Sequence, residues 1–348
     1  MYHSIKHFLS PNANIIQLYA ECVNLSGKNC VQLYFFTLTE LKTIWYNKLC
    51  REGKMYSIGI DIGGTYVKCG IVKNGELVAR DKIPTEKGNN EKKIILGIEG
   101  LIDSLLDTLK AGKEDIDNIG IGMAGSAKNG VCVFMPNASW RNVHLGKLLK
   151  AKYNCQTHVV NDLKAATLGE LHFGIGKKCD DFVFVGLGTG LNCGVVKGGK
   201  YIIDGLEFGH TIVDMGGVPC GCGKNGCLET MVSTKSLLAY AKKYDINAPT
   251  TVKELFEKAK TDKNCDKAIK DYLHALNIGL VNICNSYRPK VIVLGGGIGE
   301  GLREKYIDLV NKNLKASGYG YPGSIETKVV CSKVGNNCGI LGSSTLKD

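Results

Sequence analysis

The chain has 348 residues, 44% of them hydrophobic and 22% charged, a balance that excludes disordered and collagen-like chains and leaves a soluble globular protein large enough for two lobes. The formal net charge is +11, but the lysines are spread with no run of five or six, which suits an enzyme handling anionic nucleotides better than a nucleic-acid-binding surface. Fifteen cysteines, an odd count, argue against a disulfide framework and for a reducing, cytoplasmic setting. No apolar run approaches the roughly 18–20 residues that span a bilayer, and no signal peptide follows His3, Lys6 and His7.

Residues 1–54 differ from the rest. They hold only Gly27 and Gly53 of the 44 glycines, and apolar pieces such as 31–38 lack caps or turns. Residues 39–49 carry Leu41, Ile44, Trp45 and Leu49 at helical spacing, and no helix-turn-helix pattern is present. Two readings stand: an accessory arm, or upstream sequence ahead of a true start at Met55.

From Met55 the pattern is regular. Residues 56–61, 67–72 and 77–83 read as strands, the second and third joined by the hairpin signal Asn74-Gly75. Residues 91–110 carry apolar residues at helical spacing, from Ile94 to Leu109. Strands follow at 119–123 and up to Val160, then a helix at 164–171. A second series begins with a strand at 182–186 and a hairpin of 192–196 with 200–203. Helices follow near 234–243, 252–260, 265–287 and 302–314, with strands at 291–294 and 328–331 and a last helix at 339–346. Strand, glycine turn and helix recur, which suggests two related α/β lobes.

Three glycine turns follow strands: Asp61-Ile62-Gly63-Gly64-Thr65, Gly186-Leu187-Gly188-Thr189-Gly190 and Gly295-Gly296-Gly297-Ile298-Gly299. Glycine lets backbone N–H groups approach phosphate oxygens, and a threonine hydroxyl adds a donor. One such turn is only a turn; three, the first led by an acidic residue, point to a nucleotide. Farther on, His210 precedes Cys220-Gly221-Cys222-Gly223-Lys224-Asn225-Gly226-Cys227. One imidazole and three thiolates form a closed set typical of structural zinc, and the glycines permit the tight turns between close-spaced ligands.

The segment 61–65, the cysteine cluster with Glu207-Phe208-Gly209-His210 and Leu228-Glu229, and Asn161-Asp162 before Ala165-Ala166 and Gly169-Glu170 together resemble the ROK family of sugar kinases and sugar-responsive repressors, over essentially Met55 to Asp348. That resemblance implies the actin-like ATPase (ribonuclease H-like) α/β fold, with two lobes around a cleft: 55–165 completed by 335–348, and 166–334. It implies ATP and Mg2+ at Gly63, Gly64 and Thr65, with Asp61 near the magnesium, a second phosphate segment at Gly188, Thr189 and Gly190, and adenosine-side glycines Gly296 and Gly297.

An Asp ahead of a helix reads on its own as a cap. Phosphoryl transfer, however, needs a residue to accept the attacking hydroxyl's proton, and the resemblance gives Asp162 that role. Asn161, Asn137, Glu207, His210 and Glu229 then bind the sugar. His210 binds Zn2+ with Cys220, Cys222 and Cys227 while its second nitrogen points to the sugar. Asn137 also reads as a turn residue after Pro136.

The sequence departs from the family where many relatives place Lys after the first-segment Thr; here stand Tyr66 and then Lys68, to which no phosphate role is given. The second turn continues as Leu191-Asn192-Cys193. The expected activity is ATP-dependent phosphorylation of a hexose, glucose first, with N-acetylmannosamine, allose and fructose as alternatives. A DNA-binding regulator and a non-catalytic sugar sensor are the competing readings. Relatives imply a homo-oligomer, dimer or tetramer.

Overall fold

The computed structural model describes the backbone of residues 2–9, 15–23 and 29–37, and residues 55–303, 305–318 and 325–347 in full. The chain divides into two compact units, Met1–Met55 and Tyr56–Asp348.

In the first unit β1 (Tyr2–Leu9), β2 (Ile15–Val23) and β3 (Asn29–Thr37) form an antiparallel meander, with Leu9 opposite Ile16 and Ile15 opposite Thr37. The apolar pieces that lack caps or turns are therefore strands. Ile16, Leu18, Ala20 and Cys22 alternate with Gln17, Tyr19 and Glu21, the period of two that a pleated strand requires. The helix expected over 39–49 lies outside the described residues.

The second unit contains the same sheet twice. Its strands are β4 (Tyr56–Ile62), β5 (Tyr66–Lys73), β6 (Glu76–Pro84), β7 (Ile116–Met123), β8 (Ser126–Lys128), β9 (Val131–Met135), β10 (Trp140–Val143), β11 (Gln156–Asn161), β12 (Phe182–Leu187), β13 (Leu191–Lys197), β14 (Lys200–Tyr201), β15 (Val291–Gly295) and β16 (Lys328–Cys331). One five-stranded sheet runs β11-β7-β4-β5-β6, the other β16-β15-β12-β13-β14. In each, the first strand of the series pairs antiparallel with the next and parallel with a later one. This duplicated ribonuclease H-like sheet is the actin-like ATPase fold. Asn74 and Gly75, at φ 52° and 81°, make the tight β5–β6 hairpin, where both central residues must be left-handed.

Each sheet buries its outer face in its own core. Ile58, Ile60 and Ile62 of β4 meet Ile94, Ile98, Ile102 and Leu105 of α1 (Glu91–Thr108). Val183 and Val185 of β12 join Leu273, Leu276 and Leu280 of α7 (Lys263–Tyr287), with the helices α5 (Thr234–Tyr244) and α6 (Val252–Lys258) around them. The short α2 (Leu145–Tyr153) and α4 (Glu229–Val232) complete the outer layers.

The inner faces exchange helices. The chain leaves β11 into α3 (Asp162–Phe173), whose Leu163, Ala166 and Leu171 pack on Phe182, Phe184 and Val196 of the second sheet. It leaves β16 into α10 (Cys338–Ser344), which lies on the first sheet: Ser343 Oγ donates to the Ile60 carbonyl at 3.0 Å, and the Asn118 amide donates to the carbonyls of Ser344 and Leu346. The two helices cross on small residues. A Cβ on Gly342 would stand 1.7 Å from the Ala165 carbonyl oxygen, and one on Gly169 2.3 Å from that of Cys338. Asp162, the first residue of α3, therefore sits where the chain passes between the sheets.

One expectation changes. The helix read over 302–314 is α9 (Ile307–Ala316), and the glycine segment ahead of it is a helix of its own, α8 (Gly296–Leu302). The stretch 126–143 is a small three-stranded sheet, β10-β9-β8. No described helix is long and apolar enough to cross a membrane.

Candidate active site

The parallel register of the first sheet brings its polar ends together. Asp61 and Val160 flank Gly122, and one residue on Ile62 and Asn161 flank Met123. Ligands of open α/β sheets gather at these carboxyl ends. Gly122 has room for hydrogen only: a Cβ there would reach 2.7 Å from Ala165 Cβ and 3.5 Å from Asp162 Cα. That close approach seats the start of α3 against β7.

The cap of α3 is Asn161, not Asp162. Asn161 Oδ1 accepts from the Leu163 N–H at 2.9 Å, and its amide donates to the Gly125 carbonyl at 3.2 Å. Asp162 Oδ1 accepts from the same N–H at 2.9 Å. Burial first, and then the charges of Asp61 and Glu207, push the Asp162 carboxyl up to about 6, against the lowering effect of the backbone N–H bonds. Thus Asp61, on the first sheet, and Glu207, from the second half of the chain, both bear on Asp162.

Around the first turn, the Gly63 N–H donates to the Tyr66 carbonyl at 3.0 Å, and Thr85 Oγ donates to the Gly63 carbonyl at 2.7 Å; the Thr65 side chain is exposed. Asn137, exposed in the turn between β9 and β10, stands against Gly64: a Cβ on Gly64 would be 2.9 Å from Asn137 Cβ. Lys87 Nζ ties the two turns together, donating to the carbonyls of Gly64 and Asn137. Trp140, fully buried, donates Nε1–H to the Glu86 carbonyl at 2.9 Å and anchors the same corner.

The second turn closes through the Gly188 N–H on the Gly190 carbonyl at 3.0 Å, leaving Thr189 exposed. Glu229, at the start of α4, accepts the Leu191 N–H at 3.1 Å and fills the place a Gly190 side chain would take. The third turn comes beside it: β12 and β15 are parallel, with Gly186 opposite Gly295. Gly296, at φ 78°, has no room for a side chain, because a Cβ would lie 2.2 Å from the Leu187 carbonyl oxygen. Gly297 has open space around it. Gly296 and Gly297 form the first turn of α8, so the third glycine segment is a helix start.

Asn192 is the residue sequence reasoning passes over. Its Oδ1 accepts the N–H groups of Phe208, at 2.9 Å, and Cys193, at 2.8 Å, while its amide donates to Glu207 Oε2 at 3.2 Å. It fixes the loop that carries Glu207 toward Asp162. Its position after the second turn is the only signal in the sequence.

His210, Cys220, Cys222 and Cys227 come together, each offering one ligand atom within 4.8 Å of every other. His210 Nδ1 lies 3.6 Å from Cys220 Sγ, and the sulfurs of Cys222 and Cys227 are 3.6 Å apart. A tetrahedral zinc with ordinary Zn–S and Zn–N bonds requires edges of about 3.5–3.8 Å, so the donors fit that ion in kind and spacing. The Nδ1 edge of His210 faces the sulfurs, which leaves Nε2 as the second nitrogen. Mg2+ prefers oxygen ligands, one or two carboxylates together with phosphates, and Asp61 beside the Gly63-Gly64 turn fits that donor set.

Residues 57–348 match the profile of the ROK family. The chain is 28% identical to a glucokinase of Halalkalibacterium halodurans, with 83% of this chain and 94% of that protein covered. It is 26% identical to a xylose repressor of Caldicellulosiruptor bescii over 82% of this chain and 76% of that protein. Among solved structures, a ROK family glucokinase from Streptomyces griseus in complex with glucose and AMPPNP superposes with a TM-score of 0.73 at 26% identity, covering 83% of this chain and 98% of that one.

Proposed function

The chain belongs to the ROK family, and on that premise we propose that it is an ATP-dependent hexokinase, with glucose as the first substrate to try. The observation that carries the reading is the convergence of Asp61, Asp162 and Glu207 where three glycine turns leave the two sheets. A buried carboxylate raised by its neighbours suits a group that accepts a proton, which sugar binding alone does not require.

In this reading the lobes 55–165 with 335–348 and 166–334 close over the sugar, excluding the water that would otherwise take the phosphoryl group. Glu207, Glu229, Asn137, Asn161 and His210 Nε2 orient the hexose. Asp162 Oδ takes the proton of the attacking hydroxyl. The hydroxyl oxygen then bonds to the γ-phosphorus, the bond to the β–γ bridging oxygen breaks, and ADP leaves. A carboxyl near pH 6 is ionised at neutral pH yet basic enough to receive that proton. Gly63, Gly64 and Thr65 hold the phosphates on one side, Gly188, Thr189 and Gly190 on the other, and Gly296 and Gly297 lie under the adenosine. Mg2+ beside Asp61 would neutralise phosphate charge. Zn2+ on His210, Cys220, Cys222 and Cys227 would be structural, fixing the ring of His210 and the start of α4.

The test is a coupled ADP-release assay with Mg-ATP and a panel of glucose, N-acetylmannosamine, allose and fructose. Turnover on one of them names the substrate. Sugar binding without ADP release on any would replace the kinase with a sensor, and a sugar-dependent DNA complex would favour a regulator.

A further inference from the structure

Four carboxylates belong to the site proposed above: Asp61, Asp162, Glu207 and Glu229. Three are held only by hydrogen bonds from N–H groups, of Leu163 to Asp162, of the Asn192 amide to Glu207 and of Leu191 to Glu229. Among the described residues Asp61 alone is in an ion pair, with Lys68 Nζ 2.9 Å from its Oδ2. The pair is built into the sheet: Asp61 and Lys68 are direct partners across β4 and β5. On the far side Lys68 is opposite Lys82 of β6. That second ammonium is drawn away, lying 4.3 Å from the centre of the Tyr66 ring. Lys68 is thus attracted on one side and repelled on the other, and both forces send it to Asp61. Asp61 has little freedom to leave it, because Gly339 of α10 is packed so closely that a Cβ would come 2.9 Å from Asp61 Cγ.

We propose that Lys68 is the resident counter-ion of Asp61, occupying the carboxylate in the metal-free protein so that a divalent cation binds there only together with the nucleotide. The proposal rests on the reading of Asp61 as the metal-proximal carboxylate. A lone Mg2+ must share Asp61 with an ammonium already in contact, and it meets the repulsion of that charge. Mg2+ carried on ATP brings phosphate oxygens that compensate for both. The Lys68 side chain is 38% exposed and its neighbour on the same strand face, Tyr66, is exposed too, so Lys68 has room to swing aside as this exchange occurs. Lys68 is a positioning residue, and its effect is an ordering: metal with nucleotide, not metal first.

The experiment is direct Mn2+ binding to the full chain without nucleotide, read as free Mn2+ by electron paramagnetic resonance, on wild type, Lys68→Met, Lys68→Gln and Lys68→Arg. Removing the charge is expected to tighten Mn2+ binding at least about fivefold in K68M and K68Q, with K68R staying at the wild-type affinity and Asp61→Asn abolishing the gain. The same variants with saturating ATP should show a much smaller difference. Equal Mn2+ affinity in wild type, K68M and K68Q would overturn the proposal, as would a gain that survives D61N. If one neutral variant fails to fold, the other decides. The readout needs no turnover: a chain inactive on every sugar would defeat the kinase reading while leaving the Mn2+ comparison intact.

Discussion

Replacing Asp162 by Asn should destroy activity and stabilise the fold, and the size of the second effect follows from the site. The carboxyl stands at about 6 in the folded protein against 3.8 for an unperturbed Asp, chiefly because it is buried and then because Asp61 and Glu207 repel its charge. A folded value raised in this way gives stability that is complete below pH 3.8 and is lost as the pH rises through 6. Above pH 6 the ionised group costs the fold about 3 kcal/mol. Asn removes the charge and keeps the oxygen that accepts the Leu163 N–H. At pH 8, D162N should therefore be more stable by up to about 3 kcal/mol, seen as a rise of several degrees in Tm for a chain of this size. At pH 5 the gain should shrink to roughly half, because the wild-type carboxyl is by then mostly protonated in the folded state. Thermal unfolding of both proteins at the two pH values, with zinc supplied equally, measures the difference. A variant no more stable than wild type at pH 8, or one whose gain is the same at pH 5, would refute the electrostatic account of Asp162.

The same carboxyl should give kcat/KM an acid limb near pH 6, falling tenfold per unit below it; a limb near pH 4 would mean that Asp162 is unperturbed or is not the base. Cys222→Ser should lower bound zinc, measured by metal analysis, from one per chain toward none and weaken sugar binding, since a structural zinc contributes on the order of 10 kcal/mol to its loop. Asn192→Ala strips the Phe208 N–H and Glu207 of their partner. It should raise KM for the sugar several-fold with zinc content unchanged. Gly342→Ala forces a methyl group onto the Ala165 carbonyl at the helix crossing and should destabilise the fold by about 1–3 kcal/mol or more, read by urea unfolding.

Much of this architecture is legible in the sequence because its signals are local. Asn74-Gly75 announces the β5–β6 hairpin, and the apolar spacing from Ile94 to Leu106 announces α1. The cluster of His210 with Cys220, Cys222 and Cys227 is legible because close-spaced cysteines between glycines have few other uses. What the sequence does not display depends on partners far along the chain. α3 carries small and apolar residues on several sides, Leu163, Ala165, Ala166 and Gly169, because it is packed between a sheet and α10; its burial gives no single stripe to read. The strands of 126–143 are three to five residues long, too short for periodicity to separate them from turns. Asn161 takes the cap because Asp162 is already the first helical residue, a difference of one position that spacing cannot resolve. Lys68 and Asn192 matter through what they touch, Asp61 across the sheet and Glu207 across a loop, and neither belongs to a motif.

The most direct test of the central claim follows the phosphoryl group itself. Wild type and D162N, each with zinc bound and a native fold, are given ATP labelled with 32P at the γ position, Mg2+ and each hexose in turn under single-turnover conditions, and the label is traced. The account predicts label on one sugar with wild type, and a rate lowered by several orders of magnitude in D162N. Label that stays on ATP with every sugar, or that transfers equally fast in D162N, would contradict it.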